Sequence, residues 1–248
     1  MNRLNIVEFF SKYPNVVVAF SGGVDSAVLL SMALKYSKSV KVIFVKTEFQ
    51  PEFELEDAKK FCDSQGIKLN VIYVNILDID TITVNNPLRC YYCKKMIFDR
   101  ICNLAGEDEV VIDGTNADDD VNERPGYKAL QELGVLSPLR ICGFTKKMIR
   151  DYAKNNLISL WNKPSYSCLA TRIPVYTKIT ENNLNLTDKS EQVLFKLGFT
   201  DFRVRYAGEK CFVEINEKEF EKMIVNKDKV RIALNDFYDK IYLDLKGR

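Results

Sequence analysis

The chain has 248 residues, 46% hydrophobic and 28% charged, which excludes wholesale disorder and suits one large α/β domain or a main domain with a smaller appendage. Its 36 basic and 34 acidic side chains leave a net charge of +2, which is not the footprint of a protein that holds long nucleic acid by phosphate neutralisation alone, though a local basic patch could serve a small phosphorylated substrate. Histidine is absent, which removes His-based triads, imidazole metal ligands and the usual acid/base residue of neutral pH.

The predicted elements alternate through the first half. Val16-Val17-Val18-Ala19-Phe20 is a continuous apolar run ending at a Gly-rich turn, the pattern of a buried parallel strand. A helix is expected over 27–36, a β-branched strand over 40–45, an amphipathic helix over 54–65 closed by Gly66, and a third strand over 69–74. Val110-Val111-Ile112 reads as a fourth strand running into Asp113-Gly114-Thr115-Asn116. Such alternation predicts a doubly wound parallel sheet, with ligands gathered at the carboxyl ends of its strands. Beyond residue 174 the pattern changes. A helix over 190–197, strands over 202–206 and 211–215, and helices over 217–225 and 227–238 predict a small C-terminal α+β appendage. The expected division is therefore 1–174 for the main domain and 175–248 for a region serving substrate binding or oligomerisation. No basic-then-apolar leader is legible at Met1-Asn2-Arg3-Leu4-Asn5, and no apolar run approaches the roughly 18 residues of a spanning helix. The expected location is the cytoplasm, away from membranes. There, seven cysteines read as buried thiols or metal ligands rather than disulfides.

The turn after the first strand is Ser21-Gly22-Gly23-Val24-Asp25-Ser26. Strand, Gly-rich turn and helix place backbone N–H groups and a helix N-terminus at one spot, where both favour an anion. The glycines admit close approach of phosphate oxygens, and Ser21 and Ser26 add hydroxyl donors. Asp25 would repel naked phosphate and is expected to act through Mg2+. The pattern lacks the Gly-Lys-Ser/Thr ending of a Walker loop. It resembles the PP-loop ATP pyrophosphatases, which implies binding of ATP and cleavage between its α- and β-phosphates.

Arg89-Cys90-Tyr91-Tyr92-Cys93-Lys94-Lys95 holds a C-x-x-C pair, and a third candidate thiol is Cys168 in Lys163-Pro164-Ser165-Tyr166-Ser167-Cys168-Leu169-Ala170-Thr171-Arg172. Cys62, Cys102, Cys142 and Cys211 fall in helical or strand patterns and read as packing residues. Taken alone, the three thiols admit an iron–sulfur cluster, zinc with a fourth ligand from elsewhere, or thiols without metal.

The motifs Pro87-Leu88-Arg89-Cys90-Tyr91-Tyr92-Cys93-Lys94, Asp113-Gly114-Thr115-Asn116-Ala117-Asp118-Asp119, Arg124-Pro125-Gly126, Ser137-Pro138-Leu139 and Cys168-Leu169-Ala170-Thr171-Arg172-Ile173-Pro174 follow one another in the order of the LarE family, which the chain resembles over nearly its whole length. The resemblance implies an ATP-dependent sulfur transferase of nickel-pincer nucleotide synthesis. Its members adenylylate the carboxylates of a pyridinium dicarboxylate mononucleotide and convert them to thiocarboxylates. In one form of the family a single cysteine, matching Cys168, surrenders its sulfur and becomes dehydroalanine. In the other, three cysteines hold an iron–sulfur cluster, and with Cys90 and Cys93 present the chain resembles that form, which implies a 4Fe–4S cluster on Cys90, Cys93 and Cys168. A homo-oligomer is also implied.

The remaining positions follow from chemistry and the same resemblance. Lys94 and Arg172 are expected to neutralise ATP phosphates or the departing pyrophosphate. Gly114 and Thr115 are expected to line the nucleotide pocket. Arg203 and Arg205 alternate on one predicted strand and so share a face, which suits bidentate binding of a mononucleotide phosphate. The family's Arg-x-Arg strand serves that role and is commonly followed by a histidine, where Tyr206 stands here. Glu191 is expected to contact substrate or magnesium. The rival readings are a PP-loop tRNA thiolase using the same cysteines, an ammonia-using PP-loop synthetase, and a non-catalytic nucleotide-binding or metal-storage module.

Overall fold

The computed structural model describes residues 4–120 and 125–248, so Arg124 of the Arg-Pro-Gly motif lies outside the described residues. The chain divides into two compact units, 1–76 with 88–165, and 77–87 with 166–248.

The first unit carries helix α1 (Ile6–Lys12), strand β1 (Asn15–Ala19), helix α2 (Val24–Tyr36), strand β2 (Ser39–Lys46), helix α3 (Glu52–Ser64) and strand β3 (Leu69–Tyr73). After α4 (Asp80–Thr83), a single turn belonging to the second unit, come α5 (Arg89–Cys102), β4 (Val110–Ile112), α6 (Pro125–Glu132), α7 (Pro138–Ile141) and α8 (Lys146–Asn155). The sheet order is β3-β2-β1-β4 and every pairing is parallel. Three consecutive valines of β1 are fully buried because both faces of the sheet are covered. Val16 and Val18 of β1 pack with Val42 and Phe44 against the apolar sides of α1, α2, α3 and α8. Val17, Ile43, Val45 and Val111 face the other way, onto Phe98 and Ile101 of α5 and Leu130 of α6. The doubly wound parallel sheet expected from the sequence is thus the architecture of this unit.

The chain winds outward from β1 to β3 and then returns to lay β4 on the other side of β1. That reversal is the topological switch point, where the loops after β1 and β4 leave the sheet side by side and open a ligand crevice.

The second unit carries α4, a 3-10 turn at Leu169–Arg172, α9 (Glu181–Lys196), β5 (Phe202–Ala207), β6 (Lys210–Ile215), a 3-10 turn at Glu217–Glu219, α10 (Phe220–Val225), α11 (Lys227–Leu234) and β7 (Lys240–Leu243). β5 and β6 form an antiparallel hairpin, and β7 joins β6 in parallel. Alternation along β5 sends Phe202 and Val204 into a core with Leu194, Val213, Met223 and Leu234. A capping box between Thr180 and Asn183 starts α9. The sequence reading set its boundary after residue 174, whereas residues 166–174 pack with the second unit, held there by the side chains of α9 and β5. Asn85 adds a further tie, its Nδ2 donating to the Pro174 carbonyl at 2.8 Å. Among the described residues no helix is long and apolar enough to cross a membrane.

Candidate active site

The phosphate loop joins β1 to α2. Gly22 has φ +75°, a left-handed conformation that a side chain would strain. A Cβ there would also lie 3.1 Å from the Glu54 carbonyl oxygen. Gly23 is the N-cap of α2 and provides no side chain, leaving the first amides of the helix without a side-chain cap. Val24 and Ser26 are buried, and the Ser26 hydroxyl donates to the Gly23 carbonyl at 2.9 Å while lying 3.1 Å from Ser21 Oγ. The loop is therefore tied from within, with its amides and the start of α2 presented together.

Asp25 sits on the first turn of α2, and its carboxylate accepts from the neutral Asn116 amide at 3.2 Å. Burial pushes this carboxyl above its ordinary value, against the Asn116 hydrogen bond and with the neighbouring Asp119 charge adding to the effect. The charges of Lys146 and Arg150 act the other way and favour the ionised carboxylate, without overcoming burial. The loop after β4 comes close because Gly114 has no side chain: a Cβ there would lie 3.0 Å from Ser26 N and 3.3 Å from Asp25 C. Asp113 accepts hydrogen bonds from Thr115 Oγ1 at 2.5 Å and Ser137 Oγ at 2.6 Å, so the Thr115 hydroxyl is engaged within its own loop. Asp118 and Asp119, for which the sequence suggested no role, organise that loop. Asp118 accepts from Lys146 N at the start of α8, and Asp119 accepts from Asn116 N.

Two further features border this crevice. A cleft of about 500 Å³ lies at the carboxyl ends of β2 and β3, lined by Lys46, Thr47, Glu48, Tyr73, Val74 and Asn75. Lys163, quoted in the cysteine motif but given no role there, donates to the Gly22 carbonyl at 3.1 Å and to Asp57 Oδ2 at 2.7 Å. Its position in the run leading to Cys168 is the sequence signal that could have singled it out.

All seven cysteines are thiols. Burial pushes Cys62 and Cys142 up to about 11 and Cys211 up to about 12, and raises Cys102 as well, so these four stay protonated thiols at neutral pH and are poor nucleophiles, in keeping with a packing role. Cys90 and Cys93 stand one turn apart on α5 and share a helix face, Cys90 exposed and Cys93 half-buried. Arg89 Nη2 lies 3.5 Å from Cys90 Sγ. Lys94 extends along Gly126, with its ammonium 5.9 Å from the Phe98 ring. Cys168 belongs to the second unit, where it is half-buried at the N-cap of the 3-10 turn, and its carbonyl accepts from Thr171 N and Thr171 Oγ1. Among the described residues no three Cys, Asp or Glu side chains form a ready metal-holding group. The α5 pair fits a thiolate-ligated centre in chemistry and spacing: two soft donors on one face with a guanidinium beside one of them.

In the second unit Arg172 and Glu191 are both buried and bonded to each other. Arg172 also donates through Nη1 to the Ser167 carbonyl and to Ser167 Oγ, while Glu191 accepts from Tyr166 OH and Val204 N. The phosphate role expected of Arg172, and the substrate or magnesium contact expected of Glu191, meet side chains already engaged inside the fold. Burial works to lower the Arg172 pKa, and the Glu191 carboxylate overcomes it and raises it. Arg203 and Arg205 do share a face of β5. Arg205 is paired with Glu214 at 2.8 Å. Arg203 donates to Ser167 Oγ, its buried Nε has no hydrogen-bond partner among the described residues, and burial together with Arg172, Arg248 and Arg205 brings its pKa down to about 10. An anion beside Arg203 would relieve both the orphaned donor and the crowding of like charge.

Comparison with known proteins agrees with this geometry. Residues 15–86, which hold the phosphate loop, match the family model of the queuosine biosynthesis protein QueC. The chain is 30% identical over 250 residues to the pyridinium-3,5-bisthiocarboxylic acid mononucleotide synthase of Lactiplantibacillus plantarum, covering 99% of this chain and 91% of that one. Uncharacterised proteins of Synechocystis and Methanocaldococcus jannaschii are 30% and 32% identical, each over 98% of this chain and 93% of theirs. With the phosphate loop at the switch point of a parallel sheet and a relative matched over almost its full length, the chain belongs to the LarE family of PP-loop ATP-dependent sulfurtransferases.

Proposed function

We propose that the chain adenylylates the carboxylates of a pyridinium dicarboxylate mononucleotide and converts them to thiocarboxylates, using Cys90, Cys93 and Cys168 for the sulfur. The observation that carries this reading is the pairing, in one chain, of an uncapped phosphate loop with a C-x-x-C pair on one helix face. The amides of 23–26 and the start of α2 hold the ATP phosphates, and Asp25 holds their Mg2+. The cleft at the ends of β2 and β3 takes the nucleoside, and Gly114 lets the loop after β4 close on the same site. The substrate carboxylate attacks the α-phosphorus, the bond to the bridging oxygen breaks and pyrophosphate departs, its charge met by loop amides and Lys94. Arg203, with Arg205 beside it, holds the mononucleotide phosphate. Arg172 and Glu191 shape the 167–172 turn that presents Cys168. Cys90, Cys93 and Cys168 would hold a 4Fe–4S cluster, which would supply sulfide; on its attack at the acyl carbon the bond to AMP breaks, AMP departs and the thiocarboxylate remains. The second unit is also the proposed site of homo-oligomer contacts.

Pyrophosphate release tests the first half of this reaction. Release from ATP and Mg2+ that requires the pyridinium dicarboxylate mononucleotide is expected. Release without that acceptor, or none with it, would contradict the assignment.

A further inference from the structure

The turn after α8 reaches back to the phosphate loop through one side chain. Lys163 Nζ donates to the Gly22 carbonyl at 3.1 Å and to Asp57 Oδ2, on α3, at 2.7 Å, and its side chain is 14% exposed. Its ammonium also lies 5.8 Å from the Phe53 ring. The backbone that carries it is fixed as well: Arg150 on α8 donates to the carbonyls of Trp161 at 2.9 Å and Lys163 at 3.2 Å. Lys163 is thus held at both ends, and a long cationic side chain loses considerable rotamer freedom to be held so.

The consequence lies in the peptide plane joining Gly22 to Gly23. A trans peptide points its C=O and N–H in opposite directions. Pinning the Gly22 carbonyl to Lys163 therefore turns the Gly23 N–H the other way and keeps it there. Gly22, at φ +75° and lacking a Cβ, is the residue at which this plane turns over most easily. A flip would replace an N–H donor by a carbonyl oxygen in a loop whose task is to receive an anion.

We propose that Lys163 is a positioning residue of the phosphate loop: with Asp57 as its counter-ion, it locks the Gly22–Gly23 peptide in the orientation that binds phosphate. This rests on the ATP reading given above and adds to it a lysine that acts from behind the loop rather than on the nucleotide.

The test uses the full chain with Lys163→Met, Lys163→Arg and Asp57→Asn, read by hydrogen exchange of the 22–26 amides without nucleotide and by affinity for α,β-methylene ATP and for adenosine. Loss of a charge-assisted hydrogen bond predicts roughly tenfold faster loop exchange and roughly tenfold weaker binding of the triphosphate in Lys163→Met, with adenosine affinity unchanged. Lys163→Arg should recover most of both, and Asp57→Asn should fall between. Unaltered loop exchange and triphosphate affinity in Lys163→Met would overturn the proposal, as would an equal loss of adenosine binding, which signals general damage. Should Lys163→Met fail to fold, Asp57→Asn decides by the same two readouts. A loop that loosens in the variants of a protein that never binds the triphosphate would uphold the clamp and refute the nucleotide reading instead.

Discussion

Arg172 and Glu191 meet in a two-bonded pair, Nε to Oε1 at 2.8 Å and Nη2 to Oε2 at 3.1 Å, with both side chains at most 1% exposed. Each also anchors backbone: Arg172 the turn at Ser167, Glu191 the amide of Val204 on β5. Removing one partner strands a buried charge, which costs about 3–5 kcal/mol. Glu191→Leu and Arg172→Met should each lower stability by that order in urea unfolding. The double variant should lose less than the sum, because no charge is then left uncompensated.

The Asp25 carboxyl is held above its ordinary value by burial. With the folded pKa above the unfolded value of about 3.9, the protonated group favours the folded state below that pH, and the contribution is lost as pH rises through the folded value. Asp25→Asn removes the penalty on the ionised form. Its melting temperature should exceed that of the unaltered protein at pH 7, converge with it near pH 4, and be accompanied by loss of Mg2+-dependent pyrophosphate release. A variant that melts lower at pH 7 contradicts this.

Gly114→Ala drives a methyl group against the backbone of Ser26 and Asp25, where nothing flexible can yield. Overpacking of this kind costs about 1–3 kcal/mol. Since the shift falls on the phosphate loop, KM for ATP should rise more than stability falls, as steady-state kinetics beside thermal unfolding would show.

The cysteines should separate in native alkylation at pH 7.5. Cys90 is exposed and should be modified first, whereas Cys62 and Cys211, buried and with thiols raised to about 11 and about 12, should react only after unfolding. Peptide mass spectrometry of partially labelled protein reads this order directly.

The four parallel strands were legible because buried β-branched runs such as Val16-Val17-Val18 announce themselves, and the phosphate loop because Gly22 and Gly23 follow one of them. The helix carrying Cys90 and Cys93 was not, since Tyr and Cys are weak helix formers and α5 draws its order from packing Phe98 and Ile101 on the sheet. α9 begins at Glu181 rather than near 190: its Asn- and Thr-rich first turns have low propensity, and the Thr180–Asn183 capping box starts them. β7 was not read, since the last expected helix stopped at 238 and pairing in parallel with β6 is a long-range contact with no local signature. The Arg172–Glu191 bond spans 19 residues and two elements. From the letters, both looked like groups reaching for ligand.

If Cys90, Cys93 and Cys168 carry a sulfur that is replaced after each transfer, as the proposed cluster implies, one chain should act more than once. The most direct measurement counts thiocarboxylates formed per chain, by mass spectrometry, in an anaerobic reaction with ATP, Mg2+, the pyridinium dicarboxylate mononucleotide and a sulfide source. The expected result is several per chain, abolished by Ala at Cys90, Cys93 or Cys168. A yield that stops at one per chain with Cys168 converted to dehydroalanine, or one indifferent to Cys90 and Cys93, would contradict it.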